Sequence, residues 1–187
     1  MTRLAKILGG RWLILTLLAG QVFPACKDGD DRPRTPFRYD FESEAELDYF
    51  IWRCGEIFER TQDFATSGDY GLRLEISSGE DPGLKPILFE TDWSSFRFLH
   101  FDVRNPAADT VRIKLKLAKN RLTLYPARVD KSIVIAPGTQ HVSIALDALE
   151  YNSGAGAFSR KHVGLCKIYL PEPAQKTVLY FDHLYVE

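Results

Sequence analysis

The chain has 187 residues, of which 45% are hydrophobic and 26% charged, with 24 Lys and Arg against 25 Asp and Glu. This is the composition of an ordinary globular protein, and it excludes a disordered, collagen-like or multi-span membrane chain. The near cancellation of charge also excludes the overall basic footprint of a nucleic-acid binder, and the length suits one domain.

Arg3, Lys6 and Arg11 precede the apolar run WLILTLLA, Trp12 to Ala19. That run is too short to span a bilayer as a helix. A basic stretch followed by a short apolar one is the pattern of a secretory signal, assigned here to residues 1–25. Its removal takes away three positive charges and no negative one, leaving 21 positive against 25 negative residues, a net of −4. KDGDDRPRTP, Lys27 to Pro36, is polar with two prolines and reads as a tether. The folded domain is therefore expected over 37–187. Cys54 and Cys166 lie within it. In an oxidising compartment they permit one disulfide, and two buried free thiols are the alternative. Their spacing suits neither zinc nor a CxxC redox pair.

From Phe37 onward the pattern is that of strands. Ser43 and Glu46 match a capping box before a short turn holding Leu47 and Phe50. Leu72–Ile76 alternates, as does Leu99–Val103, which the turn Asn105-Pro106 closes. In Val111–Leu117 the residues Val111, Ile113, Leu115 and Leu117 face one way, and Arg112, Lys114 and Lys116 the other. Ser132–Ala136, Gln140–Leu146, Val163–Leu170 and Val178–Val186 follow, separated by turn residues such as Pro137-Gly138. About eight short strands without strand–helix alternation predict an all-β, two-sheet antiparallel sandwich.

No G-x-S-x-G elbow, P-loop, HExxH or dinucleotide fingerprint is present, and four histidines (100, 141, 162 and 183) lack metal-ligand spacing. A chain of this size without such a motif reads as a binding or scaffold module rather than an enzyme. Strand phase places His100, Asp102 and Arg104 opposite the core set Leu99, Phe101 and Val103, but leaves open which sheet is concave. Trp52, Tyr125, Tyr151 and Tyr169 are the candidates for stacking on a ligand. The Arg112, Lys114, Lys116 stripe repels itself unless neutralised. It is either a solvated face with Asp102 alongside or a seat for an anionic ligand, such as a uronate-rich or sulfated polysaccharide or a phosphorylated wall polymer.

The order of motifs carries a resemblance. YDFE (Tyr39 to Glu42), SGDYGLRLEI (Ser67 to Ile76), DWSSFRFLHFDVRNP (Asp92 to Pro106), PGTQHVSIALDAL (Pro137 to Leu149) and the closing LYFDHLYVE (Leu179 to Glu187) follow one another. This succession resembles the galactose-binding-like jelly rolls that serve as carbohydrate-binding modules beside glycoside hydrolases. The resemblance implies a jelly roll, a sugar ligand and a structural calcium held by Glu42, Asp69 and Asp182, with Asp40 in reserve. It also implies that Trp93 packs at a strand entry rather than on a sugar. Where the resembling domains carry an acidic or polar pair at the end of the charged strand, this chain reads Ala118-Lys119-Asn120-Arg121. Phe23-Pro24-Ala25-Cys26 similarly resembles a bacterial lipobox, which implies a diacylated Cys26 as the mature N-terminus and residues 26–36 as lipid attachment and tether. Ordinary cleavage near Ala25 and an uncleaved signal-anchor are the alternatives. Together these readings describe a membrane-anchored lipoprotein of the bacterial cell envelope, periplasmic or at the surface, that binds carbohydrate without catalysis. The same fold used to contact another envelope protein is the rival reading, and a glycoside hydrolase the weaker one.

Overall fold

Strands with one apolar face cannot stand alone, and pairing two such sheets face to face is the simplest way to bury both. The structure, a computed structural model, describes residues 34–51, 55–77, 79–171, 173 and 175–187. The signal, the Cys26 site and most of the tether lie outside the described residues, as do Trp52 and Cys54. The described strands are β1 (Arg38–Tyr39), β2 (Glu56–Thr61), β3 (Gly71–Ile76), β4 (Gly83–Leu84), β5 (Phe98–Asn105), β6 (Val111–Ala118), β7 (Val129–Ile135), β8 (Gly138–Ala145), β9 (Leu165–Tyr169) and β10 (Thr177–Val186). One sheet has the order β2-β3-β10-β5-β8 with β1 also on β10, and the other the order β4-β9-β6-β7. Every pairing between strands is antiparallel. The molecule is thus the two-sheet jelly-roll sandwich that the alternation predicts.

The core lies between the sheets. Leu72, Leu74 and Ile76 of β3, Leu99, Phe101 and Val103 of β5, and Leu179 and Phe181 of β10 are buried from one side. Ile113, Leu115 and Leu117 of β6 and Cys166 and Ile168 of β9 are buried from the other. Cys166 is a fully buried free thiol, and its expected partner Cys54 lies outside the described residues. Trp93 is fully buried and donates its indole N–H to the Glu90 carbonyl at 2.9 Å, a structural role. It packs edge-on against Phe37, which in turn meets Tyr39 and Phe89. Ordered contacts begin before Phe37: the Thr35 amide donates to the Leu88 carbonyl and Arg34 Nη1 to the Phe89 carbonyl. The end of the expected tether is therefore part of the domain.

The capping box forms as predicted. Ser43 Oγ accepts from the Ala45 amide and Glu46 Oε1 from the Ser43 amide, starting the 3-10 turn Glu44–Tyr49. Strand β2 escaped the alternation reading because its pattern is inverted. Glu56 points inward, where its carboxylate accepts the Gly83 amide at 2.6 Å, while Ile57 faces solvent.

Candidate functional site

The outward side chains of the four-stranded sheet build the best-formed site. Register sets Lys167 of β9, Lys116 of β6 and Asp130 of β7 in one row across the sheet, with Tyr169 beside Lys114 in the next. Lys116 is mostly buried. Its ammonium lies 2.8 Å from Asp81 Oδ2 and 4.5 Å from the centre of the Tyr169 ring. The Tyr169 hydroxyl donates to Asp130 Oδ1 at 3.1 Å. Asp130 Oδ2 accepts from Arg128 Nε at 2.7 Å and from Asn152 Nδ2 at 3.0 Å. Burial and then the Asp130 carboxylate hold the Tyr169 phenol far above its ordinary range, so the ring stays a neutral donor. Each polar group here is fixed by another, and the floor of the site is accordingly pre-organised.

Above this floor lies a cleft of about 230 Å³ whose charged lining is Lys85, Lys116, Arg121, Arg128 and Lys167 against Glu80 and Asp81. The loop 119–128 forms one wall. Near its end Tyr125 is 59% exposed, with the Arg128 guanidinium 5.1 Å from its ring centre. Leu122 and Leu124 on the same loop are exposed at 81% and 77%. Behind the loop is a second hollow of about 430 Å³, lined by Pro126, Ala127 and Tyr151 among others. The Tyr151 hydroxyl accepts from the Ser159 amide there.

Of the residues singled out in the sequence, Lys116 lines this cleft, Tyr169 lies against its ammonium, and Tyr125 lies against Arg128, another lining residue. Lys114 and Arg112 continue along the same face, and Tyr151 borders the hollow behind it. His100 and Asp102 do not join them. They project from the outer face of the six-stranded sheet, on the far side of the core, so one ligand cannot touch both sets. The neutralising partner foreseen for the cationic stripe is also different: Asp81 holds Lys116, and Asp102 is on the other sheet. Sequence reading missed Lys167, Arg121, Arg128, Asp130 and Asp81. The signal for Lys167 was present, since Cys166 and Ile168 are its inward neighbours, but the apolar run Val163–Leu170 hid it. Asp130, Arg128 and Asp81 lacked a local signal, because register and loop folding bring them in.

Two of the carboxylates expected to hold calcium, Asp182 and Glu42, accept backbone amides. The loop over β10 donates to Asp182 Oδ2 from the Thr66 amide at 2.5 Å and the Ser67 amide at 2.8 Å, and the His183 amide donates to Oδ1 at 2.7 Å. Glu42 Oε1 accepts the amides of Asp69 and Tyr70 at 2.9 and 2.8 Å. A Cβ on Gly68, at φ +71°, would stand 2.4 Å from that oxygen, so the Glu42 carboxylate fills the cradle itself. Asp40 faces His183 at 3.9 Å. Amide hydrogens take the lone pairs a cation would need, and among the described residues no three His, Cys, Asp or Glu are grouped to hold a metal. Asp182 and Glu42 are thus engaged within the chain, while Asp40 Oδ1 is buried without a hydrogen-bond partner. Burial raises the Asp182 carboxyl above its ordinary range in spite of its amide donors.

No protein-family model and no curated protein matches the sequence. Solved structures do match in shape. The family 11 carbohydrate-binding module from Clostridium thermocellum, in complex with a β-1,3-1,4-mixed-linked tetrasaccharide, gives a TM-score of 0.57 at 12% identity, over 81% of this chain and 96% of that one. The CBM22-1 xylan-binding domain from Paenibacillus barcinonensis gives 0.53 at 13% identity, over 83% and 96%. An exo-β-agarase gives 0.62 at 13% identity, over 82% of this chain and 25% of the agarase. The chain has the jelly-roll fold that carbohydrate-binding modules use. At such identity the likeness speaks for fold, and the ligand must be argued from the cleft.

Proposed function

We propose that residues 34–187 form a non-catalytic carbohydrate-binding module whose cleft takes an acidic polysaccharide. We propose further that the chain is exported by a signal in residues 1–25 and anchored to the cell envelope through a lipid on Cys26. The observation that carries the ligand is the cleft itself: five cations against two acids above a floor fixed by Tyr169 and Asp130. Arginine and lysine recognise carboxylate and sulfate through charge-assisted hydrogen bonds, and the open Tyr125 ring offers an apolar face to a sugar. The fold supports this reading, since a family 11 module of the same architecture is described with a bound tetrasaccharide. Hydrolysis would need two carboxylates placed across the scissile bond, one of them able to give up a proton. Asp81 and Asp130 are instead paired with Lys116 and Arg128, which suits orientation of a ligand.

Affinity electrophoresis of the full chain in gels holding a polyuronate, a sulfated glycan or a neutral β-glucan tests the proposal. The acidic polymers are expected to retard the protein, and Arg128→Gln to weaken that retardation several-fold. Retardation by the neutral polymer alone would refute the acidic ligand. A second reading, a protein partner, rests on exposed Leu122 and Leu124 beside the cleft. Absence of retardation in every gel would favour it.

A further inference from the structure

The charged cleft has a neighbour of different chemistry. A hollow of about 290 Å³ adjoins it, and Lys85, Arg121 and Leu165 line both. Arg121 at this junction is exposed and, among the described residues, has no ion-pair partner. Other cations of the cleft are already engaged: Lys116 is buried against Asp81, and Arg128 is held by Asp130. Arg121 is thus the cation best placed to give its whole guanidinium fork to an incoming carboxylate.

Beyond the junction the lining turns apolar, with Ile51, Pro86, Ile87, Leu88 and Phe89. Arg34 is the one charged residue of that lining outside the junction, and its Nη1 donates to the Phe89 carbonyl at 3.0 Å. The floor is fixed by backbone bonds on both sides. The Ile51 amide donates to the Lys85 carbonyl, the Ile87 amide to the Tyr49 carbonyl and the Thr35 amide to the Leu88 carbonyl. Two residues of this segment hold left-handed backbone conformations that side chains disfavour: Asp81 in the cleft at φ +52° and Leu88 in the hollow at φ +60°. Such conformations persist where the surroundings over-determine them, and they gather at ligand clamps.

The geometry points to a ligand of mixed charge: an acidic sugar whose carboxylate meets Arg121 at the junction, joined to a neutral sugar that lies on the apolar hollow. The inference rests on the cleft being a carbohydrate site and narrows its ligand to a polysaccharide in which charged units have neutral neighbours. A polymer charged at every unit would press a carboxylate onto Ile51, Ile87 and Leu88, where it would lose water and gain no hydrogen-bond donor from them. A neutral sugar unit meets no such penalty, because its C–H face is apolar and its hydroxyls can stay in water.

The test is affinity electrophoresis of the full chain in gels of hyaluronan, in which each uronate has neutral neighbours, of glucuronoxylan, in which uronates branch from a neutral backbone, and of polygalacturonate, in which every unit is charged. At least one of the mixed polymers is expected to retard the protein several-fold more strongly than polygalacturonate. Arg121→Gln, at an exposed position that leaves the fold intact, should weaken that retardation several-fold. Thr91→Trp fills the apolar hollow without entering the cleft, and should erase the preference for the mixed polymer. Circular dichroism confirms that each variant is folded. Polygalacturonate retarding the wild type as strongly as both mixed polymers, or a preference unmoved by either variant, would overturn the neutral subsite and leave an acidic-polysaccharide cleft standing. Absence of retardation by all three polymers would overturn both.

Discussion

Asp182→Ala separates an internal cap from a cation site. The Asp182 carboxylate is wholly buried and accepts three backbone amides, those of Thr66, Ser67 and His183. Alanine would leave these donors without acceptors. An unsatisfied buried donor costs about 1–3 kcal/mol, and the low end applies where the loop can admit water. The loss should therefore be about 3 kcal/mol, a large fraction of the roughly 5–15 kcal/mol that holds a domain together. For a domain of this size each kcal/mol corresponds to about 2–4 °C, so the melting temperature should fall by roughly 6–12 °C. Urea unfolding of the full chain, wild type and variant, with and without chelator, measures it. A loss below about 1 kcal/mol would refute the cap. So would a wild type that chelator destabilises as much as the substitution does, since a cation would then be what the carboxylate serves.

Three further outcomes are expected. Burial holds the Tyr39 phenol and the Cys166 thiol well above their ordinary values, and burial with Asp130 does the same for Tyr169. The folded state keeps these protons where the unfolded chain releases them. Stability is therefore retained below about pH 9 and lost above it, by up to about 1.4 kcal/mol per group per pH unit, and urea midpoints between pH 8 and 11 check this. Ser43→Ala removes the acceptor of the Ala45 amide and half of the capping box, and should cost about 1 kcal/mol in the same assay. Finally, retardation by an acidic polymer should fall steeply as salt is raised from about 50 to 200 mM, since it rests on ion contacts; salt-independent binding would point to stacking on Tyr125 instead.

What the sequence revealed follows from what is local. Alternation in Val111–Leu117 put Arg112, Lys114 and Lys116 on the outer face, and the capping box at Ser43 was visible in four residues. The site itself was only half legible. Tyr169 and Lys116 come together because β6 and β9 pair across an interval of some 50 residues, a register that no window along the chain contains. His100, Asp102 and Lys116 share the same outward phase, yet phase is defined within one strand and does not say which sheet the strand joins. Glu42, Asp69 and Asp182 were the residues on which the resemblance placed calcium. Glu42 and Asp182 accept amides of the loop over β10, whose direction depends on backbone geometry rather than residue type.

The position of β10 has a consequence for how the molecule is made. It is the last strand in the sequence, yet it lies in the interior of its sheet, hydrogen-bonded to β3, β5 and β1. As the chain emerges from the N-terminal end, β3 and β5 must wait with open edges for residues 177–186, with no strand between them. The domain therefore closes late and all at once, by contacts of long sequence separation, and forms slowly for its size. A chain passed through a membrane pore in the unfolded state would meet little premature structure to undo on the way.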